Sequence, residues 1–262
     1  MPEEVKIMEI HFLGTGAGTE PLYGVYHQSL CLEINKNIYF FDCGEGCSRR
    51  AHLKGIDLLK TKAVFISHTH MDHVGGLGNL LWNMRRIQTK SGSNVGFVCP
   101  KEVYIPNIET YDAFMMILKN TEGGFDKNFS VSGKEYSKGE IYRDFNIKVT
   151  AFPNAHMGQN PVRSYSFLIE AEGKRIVYSG DLASLYELDG AIGSGCDMLI
   201  CETGHNGFED VCAYAKMKNV KTLCFSHNAR ELLNRPAESE RKMKNIFGEN
   251  VFIAKDNTSF EL

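Results

Sequence analysis

The sequence predicts an α/β protein in which sheets pack together and helices lie outside them. Strand-like runs outnumber helical ones, and helical segments occur in both halves of the chain. No linker rich in Pro, Gly or Ser divides the chain, so residues 1–262 read as a single domain. At 43% hydrophobic residues over that length, a substantial core can be buried.

Val5 to Leu13 alternates loosely and runs into Gly14-Thr15-Gly16-Ala17-Gly18, a strand entering a glycine-rich turn. That turn lacks the spacing of a nucleotide-binding fingerprint, and a tight turn explains it better than a phosphate cradle. Ser29 to Ile34 and Ile38 to Phe41 form a hairpin around Asn35-Lys36-Asn37. Glu45 to Lys54 reads as a short helix, and Ala63 to Ile66 as a buried strand. Leu77, Leu80, Leu81, Met84 and Ile87 recur at helical spacing, which predicts a helix over 74–87. Gly92 to Cys99 restarts a strand, and Tyr111 to Leu118 is helical with Asn107 as its cap. Thr121 to Gly139 is polar and aperiodic, a long loop or hairpin.

The second half repeats the style. Ile147 to Phe152, Tyr165 to Ile169 and Arg175 to Tyr178 read as strands, as do Met198 to Cys201 and Thr222 to Phe225. Glu238 to Phe247 is helical. Val251 to Ile253 and Ser259 to Leu262 are strand-like.

A net charge of −3 without long runs of one sign argues against an extended basic surface, and so against RNA as the favoured partner. No apolar stretch reaches membrane-spanning length, and Met1-Pro2-Glu3-Glu4 does not begin a signal peptide. Eight scattered cysteines then read as reduced thiols, and the expected location is cytoplasmic. Cys43 and Cys47 lack zinc-ribbon spacing and read as buried free thiols.

The densest chemistry lies at Ser67-His68-Thr69-His70-Met71-Asp72-His73, directly after the apolar run Ala63 to Ile66. His68 and His70 alternate as on an extended chain and point the same way. Asp72 and His73 lie past a bend and can aim at a second point. Imidazole and carboxylate together suit borderline divalent ions. Four ligands so close in sequence crowd one tetrahedral ion but fit two adjacent ions completed from elsewhere. His156, Asp181 and His227 each follow an apolar strand through a small residue, the same context as His68. His205 trails the strand ending at Cys201. His11, His27 and His52 lack this setting.

The string His-x-His-x-Asp-His, with the later His156, Asp181 and His227, resembles the metallo-β-lactamase-fold superfamily of dinuclear metallohydrolases over nearly the whole chain. The strings Phe12-Leu13-Gly14-Thr15-Gly16, Phe41-Asp42-Cys43-Gly44-Glu45-Gly46, Ser179-Gly180-Asp181 and Ala151-Phe152-Pro153-Asn154-Ala155-His156 are similar to the tRNase Z and cyclic-phosphodiesterase branch. The resemblance implies an αββα sandwich with two mixed sheets. It implies that His68, His70 and His156 hold one ion, that Asp72, His73 and His227 hold the other, and that Asp181 bridges. Zinc is the expected metal, with manganese or iron as alternatives. One departure stands out. The tRNase Z pattern has a His-Glu-Ala-Thr motif after the bridging Asp, where this chain reads Cys201-Glu202-Thr203-Gly204. No glycine- and basic-rich arm for gripping tRNA is evident either.

Such a site implies hydrolysis by a metal-bridging hydroxide, with Asp72 counted among the catalytic residues. Two divalent ions outweigh two carboxylates and one hydroxide by a single positive charge. That favours a small-molecule or nucleotide phosphodiester, while lactone, thioester or β-lactam hydrolysis stays open. A diiron redox enzyme is disfavoured, since those relatives place a carboxylate where His70 stands. A non-catalytic binding protein would not need seven candidate ligands. Asp42 either supports a ligand imidazole or caps a turn. Glu202 and His205 either orient the site and protonate the leaving group, or are a loop glutamate and an exposed histidine. Arg85-Arg86 reads as a solvated helix end. A homodimer is compatible with the sequence.

Overall fold

In the computed structural model of the chain, residues 8–18, 22–90, 101–121, 123–125 and 129–262 are described. Their strands are β1 (Met8–Gly14), β2 (Ser29–Ile34), β3 (Asn37–Phe41), β4 (Thr61–Phe65), β5 (Lys101–Ile105), β6 (Val131–Glu135) and β7 (Gly139–Arg143). They continue with β8 (Ile147–Gln159), β9 (Val162–Ala171), β10 (Lys174–Tyr178), β11 (Cys196–Cys201), β12 (Val220–Phe225), β13 (Val251–Ile253) and β14 (Thr258–Glu261). The helices are α1 (Cys47–Leu53), α2 (Met71–Val74), α3 (Leu77–Lys90), α4 (Ile108–Thr121), α5 (Asp189–Ile192), α6 (Phe208–Met217), α7 (Arg230–Asn234) and α8 (Pro236–Ile246). None is long and apolar enough to cross a membrane. The chain divides into two compact units. One comprises residues 1–14, 26–136 and 257–262, and the other residues 15–25 and 137–256.

The first unit is built on a seven-stranded mixed sheet in the order β14-β1-β2-β3-β4-β5-β6. β14, β1, β2 and β3 pair antiparallel, and β3 through β6 pair parallel. Asn35 and Lys36 turn the β2–β3 hairpin with positive φ of 50° and 63°. Phe40 and Val64 on the sheet, Ala51 on α1, Leu80 on α3 and Met115 on α4 share one buried cluster on the helix-covered face. Each is buried, so removal of these aliphatic and aromatic groups from water drives the docking of the helices.

The second unit repeats the plan with a sheet in the order β13-β12-β11-β10-β9-β8-β7. β7 through β10 pair antiparallel, and β10 through β13 pair parallel. Val177, Leu199 and Leu223 from the sheet meet Ile192 of α5, Val211 of α6 and Met243 of α8 in its core.

Several expected elements differ. The helix read as continuous over 74–87 is two helices, because the chain breaks at Gly75-Gly76, where the Gly76 N–H donates to Cys43 O at 2.7 Å. A Cβ on Gly76 would lie 2.2 Å from Gly44 O, so that approach requires glycine. The polar stretch 121–139 contains the edge strand β6, whose partly exposed residues carry no apolar alternation to betray it. The strand expected over 92–99 lies outside the described residues, and β5 begins at Lys101. β8 runs through His156, which therefore sits within a strand rather than after one.

Candidate metal centre

In a parallel sheet the loops that leave the carboxyl ends of the strands gather functional side chains. Both units use this. Asp42 follows β3, His68 to His73 follow β4, Asp181 follows β10, Glu202 follows β11 and His227 follows β12.

In the first unit, Asp42 is fully buried with a φ of 56°, a left-handed conformation that Asp tolerates better than most side chains. Its backbone N–H donates to Phe65 O at 2.8 Å, which fixes it beside the end of β4. Its Oδ1 accepts from Ser67 N at 2.7 Å and its Oδ2 from Ser67 Oγ at 2.8 Å. Oδ2 also lies 2.7 Å from His73 Nδ1. A carboxylate can only accept, so His73 carries its proton on Nδ1 and leaves the Nε2 lone pair available. Ser67 has spent its single hydroxyl proton on Asp42. It therefore accepts from His68 Nδ1, 3.1 Å away, which makes Nε2 the unprotonated nitrogen of His68. One buried carboxylate thus sets the tautomer of two imidazoles, the arrangement that supports metal-ligating histidines.

The side chains converge. His68 Nε2 is 3.1 Å from His70 Nδ1, and His73 Nε2 is 3.5 Å from Asp72 Oδ2. The His68 and His73 ring centroids are 4.1 Å apart. The backbone holds this arrangement closely: Cys43 N donates to His73 O at 2.6 Å, and a Cβ on Gly44 would lie 2.4 Å from Asp72 O. The Phe-Asp-Cys-Gly string is therefore the seat of the histidine loop. Burial pushes the Cys43 thiol well above its ordinary value, and the Cys47 side chain is hydrogen-bonded to it. Arg85 donates to Phe125 O at 2.8 Å and Gly124 O at 3.2 Å, a structural anchor.

In the second unit Asp181 is the hub. Its Oδ1 is 3.4 Å from His227 Nδ1, and its Oδ2 is 3.7 Å from His156 Nε2 and 3.8 Å from His205 Nδ1. Asp181 is 3% exposed and His227 4%. Like Asp42, His227 has a positive φ, 61°, a strained state that persists only where surroundings impose it. Those surroundings include the glycine-rich segment: Asn228 N donates to Thr15 O at 2.7 Å, and Asp256 Oδ1 holds Thr15 through N and Oγ1 at 2.9 and 2.7 Å. Where the sequence suggested a tight turn, Thr15 to Ala17 is an extended segment that bridges in parallel to Asn228 and braces the His227 segment.

Glu202 is 1% exposed and accepts from Leu182 N at 3.3 Å, Asn206 Nδ2 at 2.9 Å and His205 N at 2.8 Å. It binds the segment after Asp181 to the His205 loop. The His205 ring is 4.6 Å from that of His156 and stacks on that of His227 at 6.2 Å. Cys201 takes no part. It is fully buried in the helix-side core, and burial pushes its thiol far up. One residue past the end of β11, the alternation of the extended chain turns Glu202 to the other face.

Glu187 was not singled out in the sequence. Its Oε1 accepts from Ala155 N at 2.8 Å and its Oε2 from Ala183 N at 3.1 Å. The Ser184-Leu185-Tyr186-Glu187 string is a capping box, the one signal that could have pointed to it.

Imidazole nitrogens with engaged far sides, set among buried carboxylates, fit divalent transition-metal ions of the borderline class. Comparisons with known proteins agree. The chain is 26% identical to ribonuclease Z of Shouchella clausii, over 97% of each protein. It spans about half the length of other ribonucleases Z and BN that it matches, such as ribonuclease BN of Erwinia tasmaniensis, at 33% identity with 49% of that protein covered. The metallo-β-lactamase-fold protein YhfI of Bacillus subtilis superposes with a TM-score of 0.73 at 18% identity, over 98% of this chain and 100% of that one. The short form of human tRNase Z does so with a TM-score of 0.71 at 20% identity, over 96% and 98%. The fold is therefore that of the metallo-β-lactamases. With residues 8–256 matched to the family described as "Anti-Pycsar protein Apyc1", the chain belongs to that family.

Proposed function

We propose that the two donor sets serve one dinuclear metal centre, and that residues 1–262 act as a single hydrolase domain that cleaves phosphodiester bonds. His68, His70 and His156 would hold one ion, Asp72, His73 and His227 the other, and Asp181 would be shared. The observation that carries this reading is the relay from Asp42 through Ser67 to His68 and directly to His73. It sets which nitrogen of each imidazole carries the proton, a control that a merely structural histidine cluster does not require. The ribonuclease names of the curated relatives support phosphodiester chemistry.

When bound, two such ions would lower the pKa of a water toward ~7 and polarise a phosphoryl oxygen. The chain supplies orientation. Asp42 fixes the His68 and His73 rings, Glu202 fixes the His205 loop through its backbone N–H, and Asp181 gathers three imidazoles. His205, with a side chain 41% exposed, is the imidazole of this set most open to a departing group. A small or cyclic phosphodiester fits the chain's net charge of −3 better than a long RNA does.

The test is elemental analysis followed by turnover of bis-p-nitrophenyl phosphate with zinc, manganese or iron. About two ions per chain and metal-dependent release of nitrophenol are expected. A folded protein that takes up no metal would sink the reading. Metal uptake without phosphodiester turnover, but with hydrolysis of a lactone, thioester or β-lactam, would replace it with the acyl-hydrolase alternative.

A further inference from the structure

We infer that Glu187 is a positioning residue that holds His156 and Asp181 at the spacing one metal ion requires, an inference that rests on the dinuclear reading above. β8 pairs with β9 residue by residue from Ile147 to Asn154; the register then shifts, and pairing resumes only at Gln159. His156 lies inside that gap. A strand segment that leaves its ladder must find other acceptors for its N–H groups, and its position is no longer set by the sheet. Here side chains take over. His156 N donates to Asn154 Oδ1 at 3.3 Å and Met157 N to Ser164 Oγ at 3.2 Å, both within the β8–β9 hairpin. Ala155 N donates to Glu187 Oε1 at 2.8 Å, and that acceptor comes from outside the hairpin.

The other Glu187 oxygen faces a different segment. Oε2 accepts from Ala183 N and Ser184 N, both at 3.1 Å, two and three residues after Asp181. One side chain therefore ties the residue before His156 to the residues after Asp181, whose Oδ2 is 3.7 Å from His156 Nε2. Helix capping accounts for the Ser184 bond alone. The bonds to Ala155 and Ala183 lie outside the capping box and have no role in closing the short turn Leu185–Leu188. Groups that orient ligands in this way change metal affinity by about 10–100-fold when removed.

The test compares Glu187→Ala, Glu187→Gln and Ser184→Ala in the full chain. Metal affinity is read by competition with a chromogenic chelator, and folding of the metal-free protein by circular dichroism and thermal midpoint. Glu187→Ala should weaken one ion of the pair by about 10–100-fold and leave the other ion and the metal-free fold unchanged. Glu187→Gln should fall between it and the parent, because a single amide oxygen can serve only one of the two segments. Ser184→Ala, which removes the hydroxyl half of the capping box but leaves every Glu187 carboxylate bond, should bind metal like the parent.

Parent-like binding of both ions by Glu187→Ala overturns the inference. So does a loss in Ser184→Ala equal to that in Glu187→Ala, since capping would then explain everything. Should the alanine variant fail to fold, parent-like affinity in Glu187→Gln overturns it. A parent protein that binds no metal refutes the dinuclear reading instead, so the two failures are distinct.

Discussion

The two units assemble candidate metal-ligand sets from nearly the same sheet plan, yet by opposite means. In the first, four ligands fall within six consecutive residues, and one buried carboxylate, Asp42, orients two of them from behind. In the second, four candidate residues come from four separate segments, gathered around Asp181 and held mainly through backbone N–H groups by Glu187 and Glu202. The first set is local and depends on tautomer control. The second is non-local and depends on carboxylates that fasten loops together. The difference teaches where each is fragile: the first fails when a ring is misoriented, the second when a loop drifts.

Substitutions can break or sharpen this contrast. The largest effect is expected from His70→Ala, which removes a donor that nothing replaces. Phosphodiester turnover should drop by more than about 100-fold, beyond the loss typical of a supporting group, with little change in the circular dichroism spectrum. Retained activity would mean that the loop is misread as a ligand set. Asp42→Asn comes next. Its amide would present a donor to Ser67 N or to His73 Nδ1–H, both of which need an acceptor. Metal affinity should fall about 10–100-fold, with a loss of about 1–3 kcal/mol in urea denaturation. An asparagine variant with parent-like affinity would remove the case for tautomer control.

Glu202→Gln should do less, about 10-fold in turnover, because one amide oxygen still serves part of the loop. A drop as deep as that of His70→Ala would show that Glu202 acts on the reacting atoms. Cys201→Ala should matter least. A stability change of about 1 kcal/mol and unaltered turnover are expected from a thiol packed in the helix-side core. A large loss of activity would return position 201 to the catalytic machinery.

Much of the fold was legible because buried strands and amphipathic helices write their periods into neighbouring residues. β2, β3, β4, β10 and β12 and the helices α1, α4 and α8 fall within a few residues of their expected places. The edge strands β6 and β7 were not legible. Their residues are largely solvent-facing, so no alternation marks them, and pairing with a neighbouring strand decides their state. The break between α2 and α3 was hidden for a related reason. Gly76 answers to the distant Cys43 carbonyl, not to the helical pattern around it.

By itself, the sequence determined the chemistry on offer: a histidine- and aspartate-dense turn and three further ligand-type residues, His156, Asp181 and His227, in or just after apolar strands. Residue type and short spacing suffice for that, because ligand chemistry is a property of single side chains. The tertiary structure alone decided which nitrogen each imidazole presents, how the His156 segment leaves its ladder, and that Glu187 fastens it to the chain beyond Asp181. Those outcomes depend on hydrogen bonds between residues tens of positions apart. Such bonds form only once the folded chain brings donor and acceptor together, and no local pattern encodes them.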